Sequence, residues 1–234
     1  MDYGLLSGGQ PSLMKADLHA HTHFSRDALT SVKTFVRRYQ RAGIDCVAVS
    51  DHNNIDGALA VRETAPFRVI ISEEIKSTEG EIIGLFLQEN IRKALTPEDT
   101  VRAIKEQGGL VLVPHPFDRT RRSPLRTEAL LRIMNDVDVI EVFNSRTVFA
   151  GDNERSRSLA EEHGKLMSAA TDSHTPWEIG LAYTEMPLFE GPGDFLVALG
   201  KGKVVGRRCF IGFHLLSTWA KIRWRLHLGK RVAK

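Results

Sequence analysis

Seven short apolar runs, at 14–20, 44–50, 67–71, 82–87, 110–113, 137–143 and 166–170, alternate along the 234-residue chain with amphipathic segments. Regular alternation of this kind argues for an α/β fold with a mostly parallel sheet, and this many units are enough to curl the sheet into a barrel. Most of the runs end in side chains of metal-ligand type. The first carries His19 and His21, the second leads to Asp51 and His52, and the third to Glu73 and Glu74. Later runs lead to His115, to Asn144 and Arg146, and to Asp172 and His174. In parallel α/β folds the groups at the carboxyl ends of the strands form the site, so these residues are expected to meet.

Helix signals punctuate the runs. Ser31 is placed to cap a helix with Val32, Phe35, Val36 and Tyr39 on one face, and Gly43 to close it. Thr96 followed by Pro97, Glu98 and Asp99 opens another, which Gly108 and Gly109 end. His19 and His21 stand two residues apart, so in a strand they project from one face toward a single ion. An isolated pair of this kind also fits two hydrogen-bonded histidines at a sheet end. The remaining blocks turn it into a metal-site signal.

Taken together, Asp17-Leu18-His19-Ala20-His21-Thr22, Ser50-Asp51-His52-Asn53, the Glu74 segment, Val113-Pro114-His115-Pro116 and Thr171-Asp172-Ser173-His174 resemble the PHP (polymerase and histidinol phosphatase) family of metal-dependent phosphoesterases. The resemblance spans about residues 15–185, and Thr175-Pro176-Trp177-Glu178 with the basic segment after it looks like a PHP-associated extension. It implies a TIM-like, distorted (β/α)7 barrel holding two or three divalent ions, zinc, manganese or iron. His19, His21, Glu74 and Asp172 would surround one ion, Asp27, His52 and His174 another, and His115 would join Glu74 at a third. The sequence departs from the family pattern in three places. No histidine follows Glu74 at about nine residues, where Glu81-Ile82-Ile83-Gly84 offers no evident ligand; Arg26 separates Ser25 from Asp27; and of Glu73 and Glu74 only one is expected to bind, with Glu74 preferred.

The arginine-rich stretch after His115 suits a phosphate. Arg119, Arg121 and Arg122 are candidates for binding it through paired guanidinium contacts, with Asn144 and Arg146 as further substrate contacts. Asp51 is expected to orient His52 or the strand end, His23 to support the site or lie at the surface, His163 to complement a helix end, and His214 and His227 to be surface residues of the basic tail. The reaction implied is hydrolysis of a phosphate ester of a small molecule, nucleotide or oligonucleotide end by metal-activated water. Two other readings stay open: a C–N hydrolase of amidohydrolase type on the same metals, and a non-catalytic, metal-stabilised binding module acting through its tail.

Charge separates the tail from the body. Ten of the 32 Lys and Arg lie from Phe195 onward, where there is no Asp or Glu, leaving 22 basic against 29 acidic residues in 1–194. The organisation expected is a barrel over 1–200 and a basic helical extension over 201–234, packed on or near it. Leu215, Trp219, Ile222 and Leu226 form one face of that helix, expected against the barrel, with contact to anionic lipid or nucleic acid as the alternatives. No run is long enough to span a membrane, and two distant cysteines, Cys46 and Cys209, fit a reducing, cytoplasmic setting.

Overall fold

The structure is a computed structural model describing residues 12–121 and 123–232, with the side chains of 225 and 227–232 excepted. Its elements in chain order are β1 (Leu13–Ala20), α1 (Val32–Ala42), β2 (Cys46–Val49), α2 (Asp56–Thr64), β3 (Arg68–Lys76), β4 (Glu81–Leu85), α3 (Pro97–Glu106) and β5 (Leu110–Val113). There follow α4 (Thr127–Ile133), β6 (Val139–Asn144), α5 (Ala150–Glu162), β7 (Leu166–Ala170), β8 (Ala182–Pro187), α6 (Pro192–Leu199), β9 (Lys203–Gly206) and α7 (Phe213–Val232). The local signals work as the sequence predicts at two helices. Ser31 accepts from the Thr34 N–H and Gly43 takes the left-handed conformation after α1, while Thr96 accepts from the Asp99 N–H with Pro97 at the first turn of α3.

One sheet of nine strands runs β7-β6-β5-β4-β3-β2-β1-β8-β9. Strands β1 to β7 follow one another around it, and beyond β7 the chain returns to β1: the Asp172 N–H donates to His19 O at 2.8 Å and the His21 N–H to Ser173 O at 3.0 Å. The sheet is therefore a nearly closed barrel. It departs from the expected sevenfold strand–helix repeat at β4, which follows β3 in an antiparallel hairpin with no helix between them. Two antiparallel strands absent from the sequence reading, β8 and β9, extend the sheet on the other side of β1 and carry it past residue 200. Their apolar content is modest, so no run of the kind used to find the other strands marks them.

Two cores hold the sheet. One face packs against the helices through Phe35, Tyr39, Val61, Ile104, Leu130 and Ala160. Leu18, Ala48, Ile70, Ile83, Leu112 and Val139 line the other, which Phe189, Phe195 and Leu199 close off. Both cysteines are free; Cys46 is buried and Cys209 half-buried. No helix among the described residues is long and apolar enough to cross a membrane.

The tail helix sits the opposite way round from the expectation. Leu215, Trp219, Ile222 and Leu226 are exposed, whereas Ser217 and Ala220 are buried against the body. Polar contacts decide the orientation, since the Arg146 guanidinium donates to Ser217 Oγ at 2.9 Å.

The β3–β4 hairpin is pinned by close backbone approach. Gly80 has φ +144°, and a Cβ there would stand 2.3 Å from Leu125 Cα and 2.6 Å from Pro124 O. Backbone cannot yield as a flexible side chain can, so Gly80→Ala is expected to cost more than about 2 kcal/mol, read as a lower urea midpoint.

Candidate metal centre

The site forms at the end of the sheet where the parallel strands finish. His19 at the end of β1 and His21 just beyond it face each other with Nε2 atoms 3.0 Å apart. The His21 Nε2 lies 3.4 Å from Glu74 Oε2 and 3.3 Å from Asp172 Oδ1. The His52 ring, after β2, stands between two carboxylates, with Nδ1 3.0 Å from Glu74 Oε2 and Nε2 3.4 Å from Asp27 Oδ2. His174 Nε2 approaches Asp27 Oδ1 at 3.5 Å, and His115 Nε2 approaches Glu74 Oε1 at 3.3 Å. All eight side chains expected at the site thus meet in one region. Four groups in it bring ligand atoms within 4.8 Å of one another: His21, His52 and His174; His19, His21 and Asp172; His19, Glu74 and His115; and His52, Glu74 and Glu81.

Supporting hydrogen bonds set the imidazoles. Glu141 Oε1 only accepts, so His19 Nδ1 donates to it at 3.1 Å and Nε2 is left bare toward the site. His174 Nδ1 donates to Asp172 O at 2.8 Å, with the same result. Ser25 Oγ gives its proton to Asp51 Oδ1 at 2.6 Å, so it accepts from His21 Nδ1 at 3.1 Å. Asp51 therefore orders Ser25, whose hydroxyl also takes the His52 N–H at 3.0 Å. Three lone pairs are aimed inward by partners that can only sit behind the rings.

Charge completes the description. Burial alone would lower the pKa of His19, but Asp172, Glu74 and Glu141 outweigh it and hold the imidazole well above its usual value, so that without an ion a proton occupies Nε2 and a bound cation would displace it. Burial would likewise raise Asp27, yet His174 and His52 hold it well below the usual carboxylate range. His174 is pushed down to about 3 by burial, with Arg146 and His21 adding to the shift, and so is neutral and able to donate its lone pair at pH 7. Asp27 Oδ1, Glu74 Oε2 and Asp172 Oδ1 are buried without a hydrogen-bond donor. Buried carboxylate oxygens are costly without compensation, and bare ring nitrogens facing them call for a cation between. Ligands about 2.0–2.1 Å from a tetrahedral ion lie about 3.3 Å apart, close to the spacings here. The donor set fits a divalent ion.

The backbone is strained at two of these strand ends, since His115 (φ +31°) and Asp172 (φ +52°) take a conformation uncommon for residues with a Cβ. Between the adjacent glutamates, the structure brings Glu74 to the histidines. Glu73 points away and accepts the Ile91 N–H at 2.9 Å. Glu81 corrects the sequence reading, which found no ligand in its segment. Because β4 runs antiparallel, its first residue lies at the same end as the last residues of β3, and Glu81 stands buried beside His52 and Glu74. Burial and the Glu74 charge raise its pKa. Glu141 was also missed, although a carboxylate flanked by Ile140 and Val142 inside the apolar run 137–143 was a visible signal.

The expected substrate contacts divide. A cleft of about 1280 Å³ over the centre is lined by Arg121 and Arg146, together with Arg26, Lys76, Arg92 and Lys93. Arg121 pairs with Asp172 and, at 3.0 Å, with Asp118. Arg146 is buried on Glu178 at 2.5 Å, and Glu178 in turn holds the His174 and Thr175 N–H groups. Arg119 is drawn off to Asp152 at 2.6 Å, where α5 begins. Asn144 lies beneath the site and gives its amide hydrogens to Glu141 and Asp172, at 2.9 and 3.1 Å. Arg122 lies outside the described residues. His214 is not the surface residue expected: it is half-buried and hydrogen-bonds Arg146 O at 3.1 Å through Nε2.

Fold and site together define a nearly closed α/β barrel with a histidine–carboxylate centre at its strand ends. The family model described as PHP domain matches residues 17–108, and that described as PHP-associated matches 150–204. An uncharacterized protein of Methanocaldococcus jannaschii is 35% identical over 233 residues, covering 94% of this chain and 92% of that protein. This chain belongs to the PHP domain family. Among solved structures, a two-domain protein from Bacteroides vulgatus containing a predicted PHP-like metal-dependent phosphoesterase superposes with a TM-score of 0.69 at 19% identity, over 84% of this chain and 66% of that one. A lesion-specific endonuclease from Pyrococcus furiosus superposes with a TM-score of 0.64 at 16% identity, over 82% of this chain and 58% of that one. These likenesses establish the shared fold.

Glu141 touches both His19 Nδ1 and, at 2.7 Å, the His115 N–H. Glu141→Gln is expected to weaken divalent-metal affinity about 10- to 100-fold in a chelator competition titration.

Proposed function

We propose that this protein is a metal-dependent phosphoesterase whose ions are zinc, manganese or iron. The observation that carries the reading is the convergence of bare imidazole nitrogens on buried carboxylate oxygens that lack donors, beneath a cleft lined by basic side chains. In this reading His19, His21, Glu74 and Asp172 hold one ion, and Asp27, His52 and His174 a second. His115 with Glu74 would serve a third, and Glu81, beside His52 and Glu74, would be a further carboxylate available to the ions. When bound, such ions lower the pKa of a water and offset charge on a phosphoryl group.

The chain's own residues do the rest. Asp51, Ser25 and Glu141 fix the ligand rings, so little reorganisation accompanies reaction. Arg121 stands against Asp172 at the floor of the cleft, a side chain whose planar donors suit phosphate oxygens. The cleft's charge favours an anionic substrate: a phosphorylated small molecule, a nucleotide or the end of an oligonucleotide. A cytoplasmic setting accords with the free thiols of Cys46 and Cys209.

The test is a panel of phosphate esters and amides offered to metal-stripped and metal-reloaded protein. Ester hydrolysis should vanish on stripping and return with Mn²⁺ or Zn²⁺. His52→Ala and Asp172→Asn should each lower kcat/KM by about 100-fold or more. Full activity in the stripped protein, or turnover of amides alone, would refute the reading.

A further inference from the structure

Helix α7 lies beyond both family-matched segments, which end at residues 108 and 204, yet it forms a wall of the cleft with His214, Ser217, Thr218, Lys221 and Trp224. It is held there by polar contacts. Arg146 donates to Ser217, His214 bonds to Arg146 O, and the Arg26 guanidinium lies 4.3 Å from the centroid of the Trp224 ring. These contacts place the Lys221 Nζ 3.1 Å from Asp27 Oδ2. Asp27 already faces two imidazoles, His52 and His174, so the helix adds a third partner to that carboxylate.

An ammonium has three N–H donors, and Asp27 accounts for one. The Lys221 side chain is 57% exposed on the cleft side of the helix, so the other two are open to a ligand. Lys221 and Arg121 thus flank the centre, one on Asp27 and the other on Asp172. A compact charge on a flexible stem suits a group that must reach both a fixed carboxylate and an incoming oxygen.

We propose that Lys221 is a specificity-determining residue that takes a non-bridging phosphate oxygen of the substrate beside Asp27, so that α7 completes the active site. The proposal rests on the phosphoesterase reading, but its test does not need turnover. Binding of inorganic phosphate to the full-length, Mn²⁺-loaded protein is measured by calorimetry for the wild type and for Lys221→Ala, Lys221→Arg and Leu215→Gln. Leu215 is on the same helix but faces outward. Lys221→Ala should weaken phosphate binding by about 10-fold or more, with every variant kept saturated with Mn²⁺ and the urea midpoint close to wild type. Lys221→Arg should recover part of the loss, and Leu215→Gln should bind as the wild type does. On an ester substrate, Lys221→Ala should raise KM more than it lowers kcat.

Phosphate affinity of Lys221→Ala within about twofold of wild type would overturn the proposal. So would a loss shared by Leu215→Gln and accompanied by a lower urea midpoint, because the lysine would then only dock the helix. Phosphate bound through Lys221 by a protein that hydrolyses no ester would support the proposal while refuting the phosphoesterase reading. Ester hydrolysis by a protein whose phosphate affinity ignores Lys221 would do the reverse.

Discussion

Everything at the site depends on closing the sheet between residues more than 150 positions apart. Asp17 carries much of that closure, for its carboxylate accepts from the Thr171 N–H at 3.0 Å, from Thr171 Oγ1 at 2.5 Å and from Tyr39 OH at 2.8 Å. Burial nonetheless pushes its pKa up to about 6. These bonds sit one step below the backbone pairs that join His19 to Asp172 and His21 to Ser173. Without them the first and last contributors to the centre would lie on separate edges of an open sheet. The long-range contact is local in its effect, because it brings ligand atoms of two imidazoles and a carboxylate, those of His19, His21 and Asp172, within 4.8 Å of one another.

A second layer keeps those groups aimed. Asp51, Ser25, Glu141 and Asn144 make no claim on the cleft, yet each uses its hydrogen-bonding capacity to fix a ring or a carboxylate above it. The arrangement answers the general difficulty of gathering charge in a protein interior: each acid is either paired from behind or left one oxygen short, facing the centre. That asymmetry separates a metal site from a structural ion-pair network.

Much of this was legible in the sequence because parallel strands deliver their last residues to one rim. His19, His21, His52, His115, Asp172 and His174 all follow that rule, and helix caps such as Ser31 and Thr96 need only local chemistry. The rule fails at Glu81, which enters through the first residue of an antiparallel strand, and at β8 and β9, whose pairing with β1 and with each other no periodicity announces. The tail misled in another way. Its apolar stripe predicted which face should be buried, but hydrogen bonds from Arg146 to Ser217 and from His214 to Arg146 O turned the polar face inward. Arg119 and Arg121 are two residues apart and alike in sequence, and only the positions of Asp152 and Asp172 decide that one leaves the site and the other stays.

The left-handed backbone at His115 and Asp172 bears on how such a chain tolerates change. Each of these turns costs up to about 1–3 kcal/mol that glycine, without a Cβ, would largely spare. Selection for folding stability and selection for the centre therefore pull these two positions in opposite directions. Relaxing either turn would gain stability and move a side chain away from the centre, so the two positions couple the geometry of the site to the stability of the barrel.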